Sequence, residues 1–202
     1  MYDKIITNLE KSPANNYTME EAEILANMIL KLGGYIDKNI VTPIINILFN
    51  LGFKIYSSET PKTILGNIFV SGNTKKSYGS DKIIIVSNKE SLFSQRYIMA
   101  YELAYYLINY VGSEKYYDKN YTFSKAYSKI KHNSFDEIRA DKFANELLMP
   151  KKIFLEQYLK AIKKSDYNNE YIITYLSYFF YVEQSCVKRR IIDVLSTISI
   201  KK

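Results

Sequence analysis

The sequence predicts an α/β (α+β) domain in which a small sheet of about three strands comes early and helices dominate the rest. Three observations carry this expectation. Short apolar runs rich in β-branched residues, bounded by turn residues, lie between Phe53 and Val86. From Phe93 onward the apolar period becomes helical. That helical cadence then returns repeatedly to the end of the chain, with no internal repeat or low-complexity linker.

Taken in order, Thr18 to Leu32 places Ala22, Ile24, Leu25, Met28, Ile29 and Leu32 at helical spacing, with Thr18 and Glu21 as a capping box and Gly33 and Gly34 as the stop. A second helix runs from about Val41 to Asn50 and closes at Leu51 and Gly52, and Phe53 to Tyr56 leaves it as a short strand. Ile64 to Val70 and Lys82 to Val86 are strands between turns made by Ser71, Gly72 and Asn73 and by Gly79, Ser80 and Asp81. Tyr97, Ala100, Tyr101, Ala104, Leu107 and Ile108 form one broad stripe, so the helix that carries them is mostly buried. Gly112 to Ser134 is polar and rich in lysine and tyrosine, which predicts a loop with at most a short helix. Phe135 or Asp136 opens a helix from Glu137 to Met149, and Pro150 ends it because proline cannot continue the backbone ladder. Helices over Lys152 to Lys163, Glu170 to Tyr181 and Gln184 to Ser196 complete the chain. The expected organisation is a domain over residues 1–160 and a helical tail, 161–202, packed on it.

With 202 residues the chain is long enough to enclose a hydrophobic core without covalent staples. Cys186 is the one cysteine, which excludes an intrachain disulfide and fits a reducing, cytoplasmic setting. Met1 to Glu10 carries charge where a signal peptide needs an apolar run. The longest apolar stretch, Tyr171 to Val182, is shorter than the roughly 20 residues a membrane helix needs. The formal charge of +7 and pI near 9.1 invite a nucleic-acid reading. Yet only Arg96, Arg139, Arg189 and Arg190 among the 28 basic residues are arginine, and the lysines are scattered. Compositional bias explains that pattern as well as a binding surface does, so nucleic acid is not favoured.

Two segments carry the chemistry: Gln95 to Leu107 and Phe135 to Pro150. A zincin helix uses H-E-x-x-H because positions i and i+4 share a face. Two imidazoles then hold one metal while the glutamate between activates water. Here that frame reads Tyr101-Glu102-Leu103-Ala104-Tyr105. About thirty residues later come Glu137, Ala140, Asp141, Phe143, Ala144, Leu147, Leu148, Met149 and Pro150. Together the two segments resemble the ImmA/IrrE family of zinc metallopeptidases, and the element order matches from about Thr18 to Phe154. The resemblance implies a zincin-like fold with a central motif helix. It places Glu102 at the family's general base, Glu137 at its third zinc ligand, and Tyr101 and Tyr105 at its two zinc-binding histidines.

Tyrosine is a poor substitute there. Ionising one phenol at pH 7 costs about 4 kcal/mol from a reference pKa near 10, before any return from a metal. No metal or other cofactor is therefore expected, although the family binds zinc. A buried carboxylate without its cation needs donors, and the expectation is that each phenol donates to Glu102 or Glu137 so that a hydrogen-bonded cluster replaces the metal.

The expected binding residues are Tyr101, Tyr105, Tyr106 and Arg96. Tyr105, Tyr106, Tyr110, Tyr116, Tyr117, Tyr121 and Tyr127 are expected around one cleft, a surface that suits a protein partner. His132 reads as a solvated loop residue and Cys186 as an inert thiol. Tyr178 to Ile192 has a helix-turn-helix cadence, which would make Lys188, Arg189 and Arg190 a DNA-reading set. The same segment also resembles the packed tail of the family. Family members cut helix-turn-helix repressors of mobile elements or stress regulons. The expected function is thus a non-proteolytic relative that binds such a repressor or another protein in the cytoplasm. The alternatives are an active endopeptidase with unusual ligands, a DNA-binding regulator through the C-terminal helices, and a purely structural subunit.

Overall fold

The computed structural model describes residues 2–11, 17–36, 38–118, 121–128 and 134–199. Thr18 opens helix α2 (Met19–Leu32) as its sequence requires: its side chain accepts from the Glu21 N–H at 3.2 Å, and its own N–H donates to Glu21 Oε2 at 2.6 Å. Before it lies α1 (Asp3–Glu10), which the sequence did not announce and which buries Tyr2, Ile5 and Leu9 along one side. Helix α3 (Ile44–Asn50) ends at Leu51, and Gly52 takes the left-handed φ of +84° that turns the chain into β1 (Lys54–Ser58).

Strands β2 (Ile64–Val70) and β3 (Lys82–Ser87) follow, separated by a seven-residue helix, α4 (Gly72–Tyr78), where only turns were expected. The Ser71 hydroxyl starts α4 by accepting from Asn73 N–H, and Gly79 stops it at φ +66°. Next come α5 (Leu92–Tyr105), a π-helical turn (Tyr106–Tyr110) and the short α6 (Glu114–Tyr117).

Among the described residues the sheet has four strands, where about three were expected. The fourth, β4 (Phe123–Ser128), falls inside the stretch read as loop, and the order is β1-β3-β2-β4. β1 runs parallel to β3; β2 runs antiparallel to both β3 and β4. None of the side chains of β4 is fully buried, so no core-facing alternation marks it in the sequence. Its strand character comes from pairing with β2, from Val70↔Phe123 to Ile64↔Ser128 with a bulge between Ile64 and Gly66.

Helix α5 lies directly on this sheet. A Cβ added to Gly66 of β2 would sit 2.2 Å from Ile98 Cγ2, so the glycine is what lets helix and strand approach. On its other side α5 meets α3 and α7 (Phe135–Leu148), and α7 packs in turn on α2. Arg139 of α7, 2% exposed, fastens that arrangement by donating to Tyr17 O at 2.8 Å and to Asn109 Oδ1 at 2.9 Å.

The tail is α8 (Lys151–Ser165), α9 (Asn169–Phe180) and α10 (Gln184–Ser199). Helix α9 packs on both neighbours. Arg190 of α10 locks the end of the tail to the domain: 1% exposed, it donates to Met149 O at 3.2 Å and pairs with Glu146 and Asp193. No helix among the described residues is long and apolar enough to cross a membrane.

Candidate functional site

The site is built on α5 and α7. Ser91 starts α5 by accepting from Ser94 N–H at 3.0 Å, and every residue from Tyr97 to Tyr105 is buried between the sheet on one side and α3 and α7 on the other. Three of these, Tyr97, Tyr101 and Tyr105, stand four apart and so share one face. On α7, Ser134 caps the helix and accepts from the Glu137 N–H at 3.3 Å, which places Glu137 in the first turn and Asp141 one turn on. The Tyr97 hydroxyl donates to Asp141 Oδ1 at 2.8 Å and joins the two helices.

Tyr101 and Tyr105 are 3% and 5% exposed, with ring centroids 5.4 Å apart. Tyr127 of β4 presses edge-on to Tyr101 at 4.5 Å, and the Lys125 ammonium stands 4.6 Å from the Tyr105 ring centre. Burial pushes the Tyr101 hydroxyl far above the usual phenol range, and Tyr105, Glu137 and Asp141 push it further. Burial also raises Tyr105, with Lys125 and Ser134 opposing and Asp136 adding. Both phenols therefore hold their protons firmly.

Glu102 lies between them, fully enclosed. Its Oε1 accepts the backbone N–H of Tyr127 at 3.0 Å, while Oε2 has no hydrogen-bond partner among the described residues. Burial drives this carboxyl well above the carboxylate range, against the lowering effects of the Tyr127 N–H and Lys125. The expected cluster is accordingly different in detail. Tyr101 stands beside Tyr105 and close enough to Glu137 to be affected by its charge, but the hydrogen bond to Glu102 comes from the backbone of an edge strand and not from the phenols.

Two expected binding residues lie elsewhere. Arg96 donates from Nε to Tyr181 O at 3.2 Å and from Nη2 to Thr42 O at 2.9 Å, bracing α5 against the α9–α10 turn. Tyr106, next to Tyr105 and so off the Tyr101–Tyr105 face, opens the π-helical turn and packs edge-on to Phe53 at 5.1 Å. The tyrosines thus form two groups, one around Tyr101, Tyr105 and Tyr127 and one around Tyr106, Tyr110, Tyr116 and Tyr121, where a single cleft was expected. Of the basic triplet on α10, Lys188 and Arg189 are exposed, and Arg190 is turned inward. The Arg189 guanidinium reaches the Tyr97 ring at 5.8 Å and Cys186 Sγ at 3.5 Å. His132 lies outside the described residues.

Tyr97 and Asp141 were not anticipated as site residues, although a signal existed: they continue, at spacing four, the faces defined by Tyr101 and Glu137. Tyr127 was expected among the cleft tyrosines, but its place on an edge strand was not, because that strand was not recognised.

A zinc ion does not fit this donor set. Two of its three protein ligands would have to be phenolates where the surroundings favour the phenol, and the third, Glu137, is itself one of the groups opposing ionisation of Tyr101. Among the described residues no three His, Cys, Asp or Glu side chains gather as a metal-holding group.

A small mixed sheet carrying a buried helix, with a glutamate flanked at metal-ligand spacing and a carboxylate helix packed beside it, defines a domain of the zincin-like type. The chain belongs to the IrrE N-terminal-like domain family, whose model matches residues 64–191, from β2 into α10. Comparisons with curated proteins and with solved structures gave no match.

Proposed function

We propose that this chain is a non-proteolytic member of its family that acts in the cytoplasm by binding a protein, most directly a helix-turn-helix repressor of a mobile element or stress response, and controls that partner without cutting it. One observation carries the reading: buried, proton-holding tyrosines at both ligand positions around an enclosed Glu102. Water activation by a zincin needs a metal and an ionised, accessible glutamate, and the surroundings of Glu102 oppose both.

The protein-binding half of the proposal draws support from the surface. Exposed Tyr178 and Tyr181 stack edge-on with Phe93 at 5.8 and 5.3 Å, beside the 74% exposed Leu92. Exposed aromatic groups of this kind suit a protein partner. Mixing the purified chain with a repressor encoded beside it tests the proposal. A stable complex containing intact repressor is the expected result; cleavage that stops on chelation and in Glu102→Gln contradicts it.

A further inference from the structure

Helix α10 divides sharply along its length. Cys186, Val187, Arg190 and Val194 are buried, whereas Ser185, Lys188, Arg189, Ile192, Leu195 and Ser196 are exposed. The exposed positions recur at spacings of three and four, so they share one face about three turns long. Ile192 is 71% exposed and Leu195 38%, which makes the second half of that face apolar.

The first half carries two cations without a counter-ion. Neither Lys188 nor Arg189 forms an ion pair among the described residues. The Arg189 guanidinium lies over the Tyr97 ring at 5.8 Å, and Nη2 reaches Cys186 Sγ at 3.5 Å. A guanidinium has five N–H donors, so most of these have no partner in the protein. The acids close by are engaged. Asp141 accepts the Tyr97 hydroxyl at 2.8 Å, Asp193 pairs with Arg190 and Lys142, and Glu183 accepts the Ser91 hydroxyl. The charge of this face is thus left unanswered within a chain whose net charge is already +7.

We propose that the exposed face of α10 docks an acidic amphipathic helix of a protein partner, its carboxylates on Lys188 and Arg189 and its apolar side chains on Ile192 and Leu195. Opposite charge guides such a helix in, and the apolar strip fixes its register. Arg189 is the anchor, because a planar guanidinium grips a carboxylate through two parallel bonds and the Tyr97 ring already holds this one in place. Duplex nucleic acid fits less well: phosphates would answer both cations and leave Ile192 and Leu195 in water. The kind of partner rests on the protein-binding function proposed above, whereas the place of docking rests on α10 alone.

The test is fluorescence anisotropy of the full chain with a labelled, end-capped peptide bearing leucine and glutamate at helical spacing. A scrambled peptide of the same composition and a short DNA duplex serve as comparisons. The patterned peptide is expected to bind saturably and the scrambled one roughly tenfold more weakly. Lys188→Ala with Arg189→Ala weakens the patterned peptide roughly tenfold, and Ile192→Ser, at a surface position, weakens it roughly fivefold. Circular dichroism checks that each variant stays folded. The proposal is overturned if no saturable binding appears, if the scrambled peptide or the duplex binds as tightly, or if Ile192→Ser leaves affinity unchanged. A repressor encoded beside the chain that binds wild type and double variant equally also overturns this docking face, yet leaves the non-proteolytic reading standing; cleavage of that repressor is what contradicts the latter.

Discussion

Glu102 Oε1 accepts the backbone N–H of Tyr127 at 3.0 Å, so the glutamate at the family's catalytic position ties the motif helix to the edge strand β4. Since the carboxyl is held protonated by burial, glutamine is nearly its equal in shape and charge. Glu102→Gln is expected to change stability by less than about 1 kcal/mol at pH 4.5. Glu102→Ala leaves a hole and removes the acceptor of the Tyr127 N–H bond, and is expected to cost about 2–4 kcal/mol in urea denaturation.

The same carboxyl fixes a pH dependence. Below the ordinary glutamate value of 4.5 the folded and unfolded chains both carry the proton. Above it the unfolded chain ionises first, so the stability this group contributes declines as pH rises, until the raised folded pKa is passed. The limiting slope is about 1.4 kcal/mol per pH unit. Glu102→Gln removes that decline and therefore gains on the wild type between pH 4.5 and 7. Paired urea titrations at the two pH values check the sign.

Gly66 makes a separate prediction about packing. Ile98 is β-branched and buried, and it cannot yield to a Cβ placed 2.2 Å away. Gly66→Ala is expected to destabilise the fold by about 1–3 kcal/mol. A thermal melt that does not move would show that α5 sits farther from β2 than described.

Arg190 distinguishes a packed tail from a DNA-reading one. Its guanidinium is buried with Glu146, which is 5% exposed at its side chain, so Arg190→Ala takes the guanidinium from a buried carboxylate that keeps hydrogen bonds from Asn27 and the Lys151 N–H, and is expected to cost about 3–5 kcal/mol. Replacing exposed Lys188 by alanine is expected to shift stability by under about 0.5 kcal/mol. A duplex-binding function would instead show steep salt dependence and loss of binding in the Lys188→Ala, Arg189→Ala pair, measurable by fluorescence anisotropy.

Much of this was legible in the sequence, for identifiable reasons. The capping box of Thr18 and Glu21, the stop at Pro150, and the stripe through Tyr97, Tyr101 and Ala104 are local signals. The structure keeps all three. The placement of Tyr101 beside Tyr105 and within reach of the Glu137 charge followed from helical spacing and from the family resemblance. What stayed hidden depends on partners distant in the chain. β4 is a strand because β2 lies beside it. Arg96 is a brace because Thr42 and Tyr181 present carbonyls. Tyr106 leaves the motif face because neighbouring helix positions do not share a face, and the π-helical turn that begins with it was announced by no local pattern.

The most direct test of the central claim is elemental analysis of the purified chain beside its Tyr101→His, Tyr105→His double variant, both loaded with zinc and then desalted. The wild type is predicted to retain far less than one zinc per chain and the variant to retain more, because imidazoles supply the donors the phenols withhold. One tightly held zinc per wild-type chain, with peptide-bond hydrolysis lost when it is stripped, would contradict the account.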